Sequence, residues 1–279
     1  MSSPRFLIAV FVVLLGCALM QAARAQLPTN DPPWLGDFAV FANRHYQLRI
    51  GIQGKILITP LSENRKSSGR SLALPVSILV EETLPNGRVR LKKILPQTLQ
   101  SADKPSTKLE KTVIRGQASG GVAFEVCIEQ THGVLTLGGG LLEQGSPRKN
   151  PLRFSLGVQF PSAYPREKKP DKQAAKAFQK KIDGDRLDLI WTDGKRKKQS
   201  FGQALDAASP DLNGPGIASA HVEISAYDGA QFRFSASPNS AMTLSNEKNQ
   251  PLHEGFAIHW TPTATLDPER KARLSFEVR

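Results

Sequence analysis

The chain has 279 residues, 37 Lys+Arg against 25 Asp+Glu, and a formal net charge of +12. That length can bury an adequate core, most naturally as two domains of about 100–150 residues each. Its 2 cysteines exclude a disulfide scaffold, and the basic balance favours anionic partners.

The first segment has the pattern of an export signal. Arg5 precedes an apolar run from Phe6 to Met20, and Ala23-Arg24-Ala25 supplies a small-residue cleavage site. The run is shorter than the roughly 18 apolar residues a spanning helix needs. Cleavage is expected between Ala25 and Gln26, removing Arg5 and Arg24 and no acid. Leu14-Leu15-Gly16-Cys17 in the same run resembles a bacterial lipobox, so lipidation at Cys17 is the alternative fate. The expected location is periplasmic or extracellular, or lipid-anchored to the envelope through Cys17. After cleavage Cys127 is the remaining cysteine, either a packed thiol or an interchain bridge.

The next stretches, "HYQLRIGI" at 45–52 and "KILITPL" at 55–61, read as strands before a loop-like segment at 62–71. Pro85-Asn86-Gly87 predicts a hairpin that sets Glu82 opposite Arg90 and Thr83 opposite Val89. His132-Gly133 predicts a two-residue loop that pairs Ile128 with Leu137 and Gln130 with Leu135. That register turns Cys127 to the face of Glu125 and Glu129. Gly138-Gly139-Gly140 follows as a connector or a close backbone approach, and "LRFSLGVQF" at 152–160 is a further strand.

One segment breaks the pattern. "PDKQAAKAFQKKIDG", 170–184, has Asp171 to cap a helix, Gly184 to stop it, and Ala174, Phe178 and Ile182 as its apolar stripe. Beyond it, Asp193-Gly194 marks a hairpin with two admissible registers. A two-residue loop sets Trp191 opposite Arg196, and a three-residue loop sets Asp188 opposite Lys198. A three-residue loop at Tyr227-Asp228-Gly229 pairs Ile224 with Phe232, Val222 with Phe234 and Glu223 with Arg233. "FAIHW" at 256–260 and "RLSFEVR" at 273–279 complete the strands.

The fold class is therefore all-β: two β-sandwich-like domains built from antiparallel hairpins, with one short amphipathic linker helix. The expected division is a signal peptide at 1–25, an N-terminal β domain at 26–163, a linker at 164–185 and a C-terminal β domain at 186–279.

Catalytic motifs are sparse. The chain contains no G-x-S-x-G elbow, phosphate loop, H-E-x-x-H or C-x-x-C. His45, His132, His221, His253 and His259 follow no ligand spacing, and Asp183, Asp185 and Asp188 lack the terminal glutamate of a calcium loop. No metal or other cofactor is expected.

Charge offers more. Lys195, Arg196, Lys197 and Lys198 alternate faces, so their strand belongs at a sheet edge. With Lys172, Lys176 and Lys180 of the helix they would form a basic contact surface. Its partner would be an anionic polysaccharide, lipopolysaccharide or anionic membrane surface. No aromatics interleave with the cations, which argues against nucleic acid. The functional expectation is an exported, non-catalytic binding or envelope-associated module. The alternative is a secreted hydrolase with a site assembled from dispersed His, Asp and Ser side chains. A recess joining His221, His259 and an acid would favour that alternative.

Overall fold

Apolar residues alternate along most of the predicted strands, which turn one face inward. The computed structural model describes residues 27, 36–61, 72–143, 150–164, 172–206, 209–246, 250–264 and 271–279. The proposed signal segment and Cys17 lie outside these residues.

Ten strands precede the helix: β1 (Asp37–Ala42), β2 (Tyr46–Gly51), β3 (Ile56–Pro60), β4 (Leu74–Thr83), β5 (Val89–Leu91), β6 (Ile94–Gln100), β7 (Lys111–Ala118), β8 (Val122–Thr131), β9 (Val134–Glu143) and β10 (Leu152–Pro161). Helix α1 (Lys172–Gly184) follows, then β11 (Arg186–Trp191), β12 (Arg196–Ser200) and a short helical turn, α2 (Pro210–Asn213). The remaining strands are β13 (Ile217–Glu223), β14 (Gln231–Ala236), β15 (Ser240–Ser245), β16 (Gly255–Pro262) and β17 (Leu274–Val278). The protein is mostly β, as the hairpin signals imply.

All the ladders between these strands are antiparallel, and the strands form two runs. One run is β1-β2-β3-β4-β10-β16-β15, with β5 also on β4. The other is β6-β7-β8-β9-β17-β14-β13-β11-β12. A single pair, Ile217 with Met242, joins them, so the whole is one curled antiparallel sheet.

This pairing gives no support to two separate sandwiches divided at 164–185. β16 pairs with β10 from Leu156–Trp260 to Pro161–Gly255, and β17 pairs with β9 from Leu274–Leu137 to Phe276–Leu135. Each run thus draws strands from both sides of the helix. Such pairings join residues about a hundred positions apart, and no local turn signal announces them.

The two runs meet across one aromatic core. Phe160 of β10 stacks on Phe256 at 4.7 Å and meets Phe232 and Phe234 edge-on at 5.3 and 6.0 Å. Tyr46 of β2 meets Phe276 of β17 at 6.4 Å, and Phe124 of β8 lies 6.5 Å from Phe154 of β10. These rings are almost wholly buried. Truncating one such ring to alanine costs about 3–5 kcal/mol, so this cluster is a major part of what holds the runs together.

Three of the four hairpins have a register foreseen from sequence. Glu82 faces Arg90, Ile128 faces Leu137, and Asp188 faces Lys198, the three-residue choice at Asp193-Gly194. The fourth differs by two residues: Val222 faces Phe232 and His221 faces Arg233, rather than Val222 facing Phe234. Ser225–Tyr227 forms a 3-10 turn closed by Asp228 at φ 55°, and this longer connection consumes the extra residues. The side chains keep their faces, because a slip of two preserves parity.

Candidate functional site

The slipped register places a row of chemistry across the outer face of the second run. β13, β14 and β17 send Ala220, Val222, Phe232, Phe234, Leu274, Phe276 and Val278 inward. Their alternate residues therefore face out. Cross-strand pairing aligns Lys198 with Asp188, Asp188 with His221, His221 with Arg233, and Arg233 with Glu277. Two residues along each strand lies a row of hydroxyls, with Ser219 opposite Ser235 and Ser235 opposite Ser275.

His221, Arg233 and Glu277 of the first row and the three serines of the second line an open recess of about 340 Å³. His221 Nδ1 stands 3.9 Å from Asp188 Oδ2. His221 Nε2 and Asp188 Oδ1 are buried without a hydrogen-bond partner. Buried polar atoms are rarely left unpaired, so the His221–Asp188 pair at the edge of the recess holds unspent hydrogen-bonding capacity. Arg233 is exposed and enters no ion pair among the described residues, whereas Glu277 is paired with Arg279 at 2.7 Å.

A second recess, of about 370 Å³, lies on the outer face of the first run and is lined by Ser245 and His259 among others. His221 and His259 thus line separate recesses, and the convergence considered from sequence does not occur. Each histidine instead has its own polar neighbours. Among the described residues no three His, Cys, Asp or Glu side chains are grouped to hold a metal ion.

The basic residues singled out in the sequence are all exposed: Lys172, Lys176 and Lys180 on α1, and Lys195, Arg196, Lys197 and Lys198 on the β11–β12 hairpin. β12 pairs with β11 on one side, as an edge strand does. The chain leaving β12 passes close to the helix, for a β-carbon at Gly202 would lie 3.4 Å from Ile182 and 3.5 Å from Gln179. Arg196 and Lys198 share the outer face with Asp188 and so flank the first recess. Cys127 faces outward with Glu125 yet is buried, its Sγ 3.6 Å from Glu125 Oε1.

Sequence reading named His221 but missed Asp188, Arg233 and Glu277 as its companions. The usable signal was the alternation in "SAHVE", "QFRFS" and "LSFEV", each of which carries polar residues on one face. Only the strand order shows that these three faces are neighbours.

No protein-family model and no curated protein sequence matches the chain. Solved structures do resemble it. The α-N-acetylgalactosaminidase NagBb of Bifidobacterium bifidum in complex with GalNAc matches at TM-score 0.51 and 12 % identity, over 86 % of this chain and 35 % of that one. The Gal-NHAc-DNJ complex of the same enzyme matches at TM-score 0.52 and 13 % identity, over 86 % of this chain and 36 % of that one. A putative aldose 1-epimerase of Escherichia coli K12 matches at TM-score 0.46 and 13 % identity, over 86 % of this chain and 98 % of that one. The chain spans about a third of the length of the α-N-acetylgalactosaminidase chains, and the likeness is one of fold.

This likeness corrects the expectation of a non-catalytic binding module. The fold is shared with part of a sugar-processing enzyme, and its outer face carries a row of acid–base groups over an open recess. The alternative reading, a site assembled from dispersed His, Asp and Ser side chains, fits these findings better.

Proposed function

We propose that the chain is a carbohydrate-active enzyme whose acid–base chemistry runs across the His221–Arg233–Glu277 row. The observation that carries this reading is the row itself. A histidine and a carboxylate stand two strand spacings apart, about 10 Å between backbones, which leaves room for a sugar ring between their side chains. The recess lies over the same residues.

In this reading one member of the pair takes a proton from a sugar hydroxyl or a water. The other gives a proton to the ring or glycosidic oxygen. Asp188 orients His221 from the side of Nδ1, and the 3.9 Å separation tightens when a sugar fills the recess. Arg233, which stands between them, donates hydrogen bonds to hydroxyls or to an anionic substituent of the sugar. Ser219, Ser235 and Ser275 hold the sugar hydroxyls. The cations of the β11–β12 hairpin and of α1 draw in an anionic glycan before it reaches the recess. Export, expected from the first 25 residues, would bring the enzyme to envelope or extracellular glycans.

The test is two assays on the full chain: anomer exchange of reducing sugars followed by NMR, and hydrolysis of a panel of aryl glycosides. At least one sugar is expected to turn over, with His221→Asn and Glu277→Gln each slowing it about 10²–10⁴-fold. Turnover that survives both substitutions, or no turnover and no sugar binding at all, overturns the assignment.

A further inference from the structure

The second recess carries chemistry of its own. Ser245 ends β15 and His259 lies on the adjacent β16, where Ser245 pairs with Ala257 and Thr243 with His259. Both side chains face outward, and Ser245 Oγ lies 2.7 Å from His259 Nε2. On the other side of β16, His259 faces Gly157 of β10. A β-carbon at Gly157 would stand 2.8 Å from His259 Nδ1, so glycine opens the slot in which the imidazole lies.

The ring is mostly covered, and that burial holds His259 below the usual histidine range; Glu81 opposes the shift and Arg153 reinforces it. These two stand further along β4 and β10, paired with each other, and Glu254 stands on the rim of the recess. Burial thus favours the neutral imidazole, whose Nε2 accepts the serine proton in the tautomer that carries its hydrogen on Nδ1. Gln159 is not free to act, since its Nε2 donates to the carbonyls of Phe160 and Phe256 at 3.2 and 2.9 Å. Ser162, Asn246 and Gln250 complete a polar rim around the pair.

We infer that Ser245 and His259 form a nucleophile–base pair that hydrolyses small carboxylic esters in this recess, independently of the sugar site. Ser245 Oγ adds to the ester carbonyl while its proton passes to His259 Nε2. The C–O bond to the alcohol then breaks, and the leaving alkoxide takes that proton from the imidazolium. A water molecule next loses a proton to Nε2 and adds to the acyl-serine. The Oγ–acyl bond breaks, Ser245 recovers its proton, and a carboxylic acid departs. One imidazole supplies every proton transfer, and an ester suits so spare a site because an alcohol is a better leaving group than an amine. The polar rim suits an alcohol portion that carries hydroxyls.

The experiment treats the full-length protein with a fluorophosphonate probe, locates the adduct by peptide mass mapping, and follows p-nitrophenyl acetate hydrolysis in parallel. One adduct on Ser245 is expected, absent from Ser245→Ala and formed at least about 10²-fold more slowly in His259→Asn. Gly157→Ala, which crowds the ring without altering either reacting group, is expected to slow labelling as well. An unlabelled Ser245 in the folded wild-type protein, or labelling at an undiminished rate in both His259→Asn and Gly157→Ala, overturns the inference.

Discussion

Asp185 grips Ser225 twice: its Oδ1 accepts both the backbone N–H and the hydroxyl of Ser225, each at 2.7 Å. Its other oxygen accepts the hydroxyl of Tyr164, and the carboxylate is buried. This contact anchors the turn after β13, and the turn decides which residue of β14 stands beside His221. An acid just ahead of β11 thereby sets the register of a hairpin forty residues away.

Asp185→Ala is expected to remove the acceptor shared by the Ser225 amide and hydroxyl, and with it the buried carboxylate partner of the Tyr164 hydroxyl. The cost is about 1–3 kcal/mol, the penalty for a buried polar group that loses its partner. Urea unfolding measures it. Sugar turnover at the His221 row should fall along with stability, and faster amide exchange at 225–231 would locate the damage in the turn.

Glu82 offers a pH signature. Its carboxylate accepts from Arg90 Nη2 at 2.6 Å and from Asn150 Nδ2 at 2.9 Å, with Lys92 Nζ at 3.0 Å. These partners, Arg90 first, hold its pKa at about 2, against an ordinary 4.5. The folded state favours the charged form, so the contribution is full above pH 4.5 and is lost as pH falls from there towards 2. The urea midpoint of the wild type should drop across that window. Glu82→Gln should flatten that part of the drop and lower the midpoint at neutral pH.

The basic hairpin should act through long-range attraction. Replacing Lys195, Arg196, Lys197 and Lys198 together with alanine should weaken binding of an anionic glycan such as heparin at low salt. The slope of affinity against salt concentration should also become shallower. Calorimetric titration at two salt concentrations would show both. An unchanged slope would remove the hairpin from the binding surface.

Cys127 should be a silent thiol. It is buried against Glu125 on a strand covered on its outer side, where Arg273 passes over Gly138. A thiol reagent such as Ellman's should leave the native protein unlabelled over minutes and titrate one thiol per chain in denaturant, once residues 1–25 are removed. Rapid labelling without denaturant would restore Cys127 as a candidate for an interchain bridge.

Local chemistry by itself determined much of this protein. Asn86-Gly87, His132-Gly133 and Asp193-Gly194 each impose a tight turn, and the alternation around them tells which side chains share a face. Periodicity likewise located the helix, because a helix is built from neighbours in sequence; its proposed cap, Asp171, lies outside the described residues. Tertiary structure alone decided that β16 and β17 cross back onto β10 and β9, and that Asp185 captures Ser225. It also decided that His221 meets Arg233 and Glu277 rather than His259. Those contacts join residues from about ten to about 140 positions apart. Their free energy comes from burying Phe160, Phe232 and Phe276 in one core, which depends on where distant strands meet and leaves no mark on the local pattern of either strand.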